Sequence, residues 1–189
     1  MFFLCFLEVL MGKVYKKYLK INPVSKQEEV RSAGTLGFIG GILTFIPYAD
    51  VVGFILVLIA LHQLSKAYNN NEIWRNAIVA VIISIVGAVI AIFSFIGVIA
   101  FLSSINAGTY ASVGTIIAWV LGLYAIAVIS GYFWRNAYAA LASSSNVSEF
   151  ASASRWYWWG SLLTIVIVGA ILLIVADIYA ILGYYRLSR

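Results

Sequence analysis

From Asn76 to Ser103 the chain runs for about 28 residues without a charged side chain. A helix of that length is long enough to cross a hydrocarbon layer of about 30 Å, with room to tilt. Several other apolar runs accompany it. Hydrophobic residues make up 63% of the 189 and charged residues only 10%, against about 45–50% and about 25% in soluble domains. A water-soluble fold of this size has nowhere to bury so much apolar surface, so lipid must be the solvent for much of it. In lipid each helix satisfies its own backbone hydrogen bonds. The expected fold is therefore all-α, a polytopic transmembrane helical bundle.

The segments follow from their breaks. An apolar run from Ser32 to Ile46 ends at Pro47-Tyr48-Ala49-Asp50, where proline removes an amide donor and clashes with the preceding turn. A second run goes from Val51 to about Tyr68, and the two read as a tight helical hairpin. Asn69 to Glu72 is a polar loop and Ser104 to Ser112 another. Val113 to Phe133 is a full-length span. Trp134 to Arg155 turns amphipathic and reads as a helix continuation followed by a loop. The last run, Trp156 to Tyr185, is one long tilted helix or two short ones turning near Val168-Gly169.

Two patterns favour six segments in three hairpins, with five spans as the alternative. Lys66 and Arg75 flank one connection, Arg135 and Arg155 another, and Arg186 and Arg189 close the chain, whereas the Pro47–Asp50 turn and the Ser104–Ser112 loop carry no basic residue. Basic residues collect on the cytoplasmic side. The second pattern is internal similarity: Val52-Gly53-Phe54-Ile55-Leu56, Val113-Gly114-Thr115-Ile116-Ile117 and Val168-Gly169-Ala170-Ile171-Leu172 resemble one another, and Trp74-Arg75-Asn76-Ala77 returns as Trp134-Arg135-Asn136-Ala137. Length argues the other way, since Trp156 to Ile167 as a helix is only about 18 Å long.

Residues 1–31 read as a basic N-terminal arm, cytoplasmic or interfacial, and residues 32–189 as the transmembrane domain. Six of the twelve basic residues lie between Lys13 and Arg31, a cluster suited to anionic lipid. The net charge of +5 does not point to nucleic acid, because the aromatic residues sit in apolar runs and not beside the basic ones. Met1 to Met11 is too short to span and lacks the flanks of a signal peptide; it reads as an interfacial anchor or as a stretch preceding a start at Met11. With one cysteine, Cys5, and one histidine, His62, neither a metal site nor a redox cofactor is expected. The expected location is the cell membrane with the N-terminus cytoplasmic, which leaves the sequon at Asn146 unmodified.

Asp177 is the foremost candidate for chemistry. It lies inside the last apolar run, where an acid costs about 2.5–3.5 kcal/mol on insertion scales and so needs a partner. Aligning the Val-Gly starts puts His62 at a similar depth, so Asp177 and His62 are expected to face each other as an intramembrane polar site. Asp50 caps the helix after the turn. Trp74, Trp134, Trp156, Trp158 and Trp159, with Tyr184 and Tyr185, stand at the ends of apolar runs and are assigned to an interfacial belt. Gly37, Gly41, Gly53, Gly114 and Gly169 are assigned to helix packing. Gly37 with Gly41, Ala118 with Gly122 and Ala127 with Gly131 form small-xxx-small pairs, which pack inside this bundle or against another subunit.

Two stretches carry a family resemblance. The first is the glycine-rich helix ending Phe45-Ile46-Pro47-Tyr48, followed by Gly53, Ile59-Ala60-Leu61, Leu64-Ser65, Tyr68 and Arg75-Asn76-Ala77. The second is Tyr132-Phe133-Trp134-Arg135, Leu141-Ala142, Ser145-Asn146-Val147, Phe150, Ala153, Gly160-Ser161-Leu162-Leu163-Thr164-Ile165 and Gly169. Together they cover Leu36 to about Tyr185, and the chain resembles the archaeal membrane family of unknown function numbered 996. The resemblance implies a cell-membrane protein with several helices and brings no catalytic residues. Asp177 stands where that pattern has an apolar or aromatic residue.

Phosphate-cradling loops, nucleophile elbows and zinc-binding His-Glu-x-x-His motifs are absent from the sequence, so catalysis is not expected. The first functional reading is a structural or accessory subunit, partnered by lipids and other membrane-protein subunits. The alternative is a small transporter or channel using Asp177, which requires further inward-facing polar residues; Ser84, Ser94, Ser130 and Thr164 are the candidates. A basic arm that organises lipid is a third.

Overall fold

A computed structural model of the protein describes residues 23–103 and 111–189; the apolar Met1–Met11 stretch, Cys5, the basic cluster from Lys13 to Lys20 and most of the Ser104–Ser112 loop lie outside them. The described residues form six helices: α1 (Pro23–Leu43), α2 (Asp50–Ala67), α3 (Asn71–Ser103), α4 (Ala111–Ser145), α5 (Ser148–Leu162) and α6 (Ile167–Leu187). Proline at the first position of α1 suits a helix start, where its missing amide leaves no bond unmade. The boundary expected at residue 31 thus falls inside α1, and the charged residues 23–31 are its first turns. Trp134 to Arg155 also departs from expectation. Most of the expected loop is helical, because two residues make the turn from α4 to α5: Asn146, in the left-handed region at φ 56°, and the extended Val147.

Three antiparallel hairpins, α1–α2, α3–α4 and α5–α6, are joined into a closed ring. Neighbours in sequence are neighbours in space, and α6 packs on α1 to complete the circle; the seam between α2 and α3 is the loosest. Four helices are long and apolar enough to cross a membrane: α2, α3 over Asn71–Phe93, α4 over Ile117–Ser145, and α6 over Val168–Leu187. The charged start of α1 and the fifteen-residue length of α5 set those two apart.

Polar contacts gather the first turns of α1, the α2–α3 and α4–α5 turns and the end of α6 at one end of the bundle. Arg31 Nε donates to the Ser188 carbonyl at 2.9 Å, Arg186 pairs with Glu149 at 2.9 Å, and Asn70 Nδ2 donates to Ser144 Oγ at 3.0 Å. Asn70 also accepts the Glu72 amide on its side-chain oxygen, capping α3 at 3.0 Å. The turns at 44–49 and 163–166 lie at the opposite end. There the Tyr124 hydroxyl of α4 donates to the Leu162 carbonyl at 2.7 Å, which marks how far α5 reaches along α4. The remainder of α4 and the matching part of α3 continue beyond by roughly 20 Å at 1.5 Å per residue, displaying exposed Ile92, Phe93, Phe95, Ile96, Ile117 and Leu121.

The last apolar run is two helices, broken at 163–166 without a proline. The Thr164 amide turns to the Ser161 carbonyl at 3.4 Å, and its hydroxyl takes the Gly160 carbonyl at 2.7 Å; Ser161 Oγ adds a bond to the Trp158 carbonyl at 2.9 Å. The break is also a repeat of the first hairpin. A Cβ on Gly53 would lie 2.6 Å from the Thr44 amide and 2.8 Å from the Leu43 carbonyl carbon; on Gly169 it would strike the Thr164 amide and the Leu163 carbonyl. A Cβ on Gly40 would lie 2.9 Å from the Val57 amide, and on Gly160 3.1 Å from that of Leu173. Gly-x-x-Leu-Thr at residues 40–44 recurs at 160–164. Two Val-Gly starts therefore mark one joint built twice, where only glycine lets the second helix press on the end of the first. The third, Gly114, meets nothing within 4 Å.

Candidate functional site

Helical periodicity turns a specific set of side chains towards the middle of the ring. On α6, Leu173, Asp177, Ala180, Ile181 and Tyr184 follow one another at three- and four-residue steps and share a face. Tyr157 and Ser161 do the same at the end of α5, with Thr164 in the turn that follows, and Ala127, Ser130, Gly131, Trp134 and Tyr138 along α4. These faces, with residues from α1, α2 and α3, enclose a cavity of about 840 Å³. Ligand chambers are typically about 300–1,000 Å³, mainly apolar, with a few placed polar groups. Val120 and Ile165 line this cavity and are 50% and 58% exposed, so it is open at the end away from the basic residues.

Asp177 is the one charged side chain among the lining residues. It accepts a hydrogen bond from the Tyr157 hydroxyl across the α5–α6 pair. Tyr157 stacks on Tyr138, their rings 5.2 Å apart and nearly parallel at 5°. Trp134 stacks on both, at 6.0 and 6.2 Å, and Phe54 of α2 meets Trp134 edge-on. Tyr184 closes the cluster against Phe150 at 5.2 Å. Its side chain is 1% exposed, yet its hydroxyl has no hydrogen-bond partner. A buried hydroxyl left unpaired costs about 1–3 kcal/mol.

Several other chamber hydroxyls are paired. Ser84 Oγ and Ser130 Oγ lie 2.7 Å apart, and Ser130 donates to the Ala80 carbonyl at 3.3 Å; this polar bridge ties α3 to α4 inside the chamber. Thr44 Oγ1 donates to the Gly41 carbonyl at 2.6 Å. Thr44 and Thr164, equivalent in the repeated joint, both line the cavity.

Asp177 and His62 have separate partners. His62 packs on Trp74 with ring centroids 4.6 Å apart, its Nδ1 is buried and unpaired, and it is not among the residues lining the cavity. No hydrogen bond joins it to Asp177 among the described residues; the polar partner of the acid is Tyr157.

The aromatic belt divides in two. Trp159 and Tyr185 are exposed, at 54% and 36%, and Trp158 lies beneath the Arg135 guanidinium at 5.2 Å. Trp74 and Trp156 are half-buried. Trp134 and Tyr184 do not belong to an outward-facing belt, because they line the chamber. An aromatic residue at a segment's end looks the same in sequence whether it turns to headgroups or inward.

The glycines divide as well. Gly37 lies against the Tyr184 ring and Gly41 against Ile181, so this small-xxx-small pair packs within the bundle, while Gly131 lies against Ser161. Gly114 and Gly122 face open space. Asp50 does not cap α2 as expected: it is the first helical residue, the capping position is Ala49 without a side-chain cap bond, and the Asp50 carboxylate accepts only the adjacent Val51 amide at 2.8 Å. Ser84, Ser130 and Thr164 line the chamber; the side chain of Ser94 lies outside the described residues. Sequence reasoning missed Tyr138, Tyr157, Tyr124 and Thr44. A legible signal existed for Tyr157, since with Ser161 and Thr164 it makes a polar stripe at helical spacing.

The family of proteins of unknown function numbered 996 matches residues 49–178. An uncharacterised protein of Methanocaldococcus jannaschii is 33% identical over 168 residues, covering 84% of this chain and 93% of its own length. No solved structure matches. The chain belongs to family 996.

Proposed function

We propose that this member of family 996 is a small transporter that binds its substrate in the intramembrane chamber, with Asp177 as the binding acid. The supporting observation is the cavity itself. All six helices contribute to it, and several hydroxyls and one acid converge there. A membrane bundle with no interior task would pack such space with apolar side chains. The repeated hairpins α1–α2 and α5–α6 are the kind of internal duplication on which transporters are built, with the site where the repeats meet. The end bearing the basic residues is read as cytoplasmic, and no catalytic step is assigned.

The accessory-subunit reading has one observation in its favour. Ala118 and Gly122 form a small pair on the projecting part of α4, and Gly122 has nothing against it. The other two small pairs each have a glycine packed within this chain, which is why we place the transporter reading first.

Filling the chamber tests the proposal. Ala127 lines the cavity, and Ala127→Phe puts a ring into it. Protein released from its own membranes in mild detergent should retain a bound small molecule in native mass spectrometry, and the variant should emerge empty with its melting temperature preserved. Wild-type protein that is already empty, or a filled variant that carries the same ligand, overturns the reading. A stoichiometric protein partner in the same spectra supports the accessory role.

A further inference from the structure

We propose that the chamber is selective for lipophilic monovalent organic cations, a quaternary ammonium or phosphonium or a protonated amine on an apolar body, with the positive centre held at Asp177 beside the Trp134 and Tyr157 rings. This deepens the transporter reading and rests on it.

The first argument is charge. Asp177 is the one ionisable acid lining the chamber, and no lysine, arginine or histidine lines it with Asp177. Among the described residues the ion pair is Glu149 with Arg186, at the end of the bundle. Tyr157 gives Asp177 a hydrogen bond but no compensating charge. Inside a low-dielectric bundle a carboxylate without a counter-charge is unfavourable, so an occupant bringing one positive charge completes the site, and an anion is repelled.

The second argument separates organic from inorganic cations. Calcium and magnesium take about six or more oxygen ligands, chiefly carboxylates, carbonyls and waters. Here one carboxylate shares the chamber wall with the partly exposed rings of Trp134 and Tyr157. Ring faces attract weakly hydrated, diffuse cations, and aromatic cages are the known solution for quaternary ammonium groups. The remainder of the wall is apolar, including Val57, Ala88, Leu123 and Ile181, which suits a hydrophobic body attached to the charge.

The route in is consistent with such a molecule. The α2–α3 seam is the loosest of the ring, and Phe54 and Val57 of α2 and Ser84 and Ala88 of α3 all line the chamber. A lipophilic cation dissolved in the bilayer can enter at the open end of the chamber, where Val120 and Ile165 are exposed.

Tetraphenylphosphonium and tetraphenylborate test this directly, being nearly identical in size and shape and opposite in charge. Each is titrated by calorimetry into the full-length protein in matched detergent micelles. The cation should bind saturably and the anion should not. Asp177→Asn should weaken cation binding by about tenfold or more, equivalent to about 1.4 kcal/mol or more, and Asp177→Glu should restore most of it. Equal saturable binding of both ions, or binding indifferent to Asp177→Asn, overturns charge selection while leaving the chamber a binding site. Failure of both ions to bind saturably overturns this proposal; ligand retention by the native protein decides separately whether the transporter reading stands. The comparison of the two ions on the unaltered chain needs no variant to fold.

Discussion

Gly53 in α1–α2 and Gly169 in α5–α6 occupy the same joint, each pressed on the leucine and threonine that end the preceding helix. Eight residues further along, the hairpins part company. Gly53 leads to Leu61, wholly buried, and Gly169 leads to Asp177, on the chamber wall. The partner of the acid differs in the same way. Tyr157 lies three residues before the Gly160 of its hairpin, and the corresponding residue before Gly40 is Gly37. In one copy the pair is leucine and glycine, in the other aspartate and tyrosine. Duplication supplies the frame, and chemistry is confined to one copy. The space that Gly37 leaves is taken by the Tyr184 ring of the other hairpin, so the plain copy holds the wall on which the polar copy works.

Exchanging the differing residues should give the largest and most unequal effects. Leu61→Asp places an acid where leucine is 0% exposed and no hydroxyl waits for it. A destabilisation of about 3 kcal/mol or more is expected on the insertion scale. Asp177→Leu removes the charge and leaves only the Tyr157 hydroxyl without its acceptor, a loss of about 1–3 kcal/mol. Melting of the detergent-solubilised variants reads both. If Leu61→Asp is as well tolerated as Asp177→Leu, the two positions are not distinct environments and the contrast fails.

The joints should respond alike. Gly53→Ala and Gly169→Ala each drive a Cβ into backbone that cannot swing away, at roughly 1–3 kcal/mol for forced overpacking. Similar drops in melting temperature sharpen the equivalence. A drop at one joint alone would show that the hairpins share a motif and not a construction.

Much of this frame is legible in the sequence because it depends on composition and spacing. The apolar runs, the Pro47 break, the polar Asn69–Glu72 turn and the Val-Gly starts each have a local cause. Asp177 stands out for the same reason, as an acid in hydrocarbon. What escapes is everything that depends on direction. Tyr157 sits among Trp156, Trp158 and Trp159, which as a group resemble a belt, and only the helix phase separates the inward tyrosine from the outward tryptophans. The break at 163–166 is hidden because threonine and serine hydroxyls end α5 where proline would have announced it. Aligned depth does not guarantee a pairing either. His62 lies nine residues after Gly53 and Asp177 eight after Gly169; the residue that matches the acid is Leu61, and His62 turns to Trp74.

The third Val-Gly start supplies the smallest effect and the sharpest limit on the comparison. Gly114 is exposed and lies within α4, and a methyl group added there would have nothing within 4 Å. Gly114→Ala therefore meets no neighbour and gains helix propensity, up to about 0.5–1 kcal/mol in water and less in lipid. A small rise or no change in melting temperature is expected, in contrast to Gly53→Ala and Gly169→Ala. The same substitution made in the native membrane carries more information. If it leaves the purified protein unharmed but lowers its level in the cell or separates it from a co-purifying protein, then the open face of α4 is covered in the membrane. That result would move the accessory-subunit reading ahead of the transporter, because the third glycine would then also be a joint, with its partner helix on another chain.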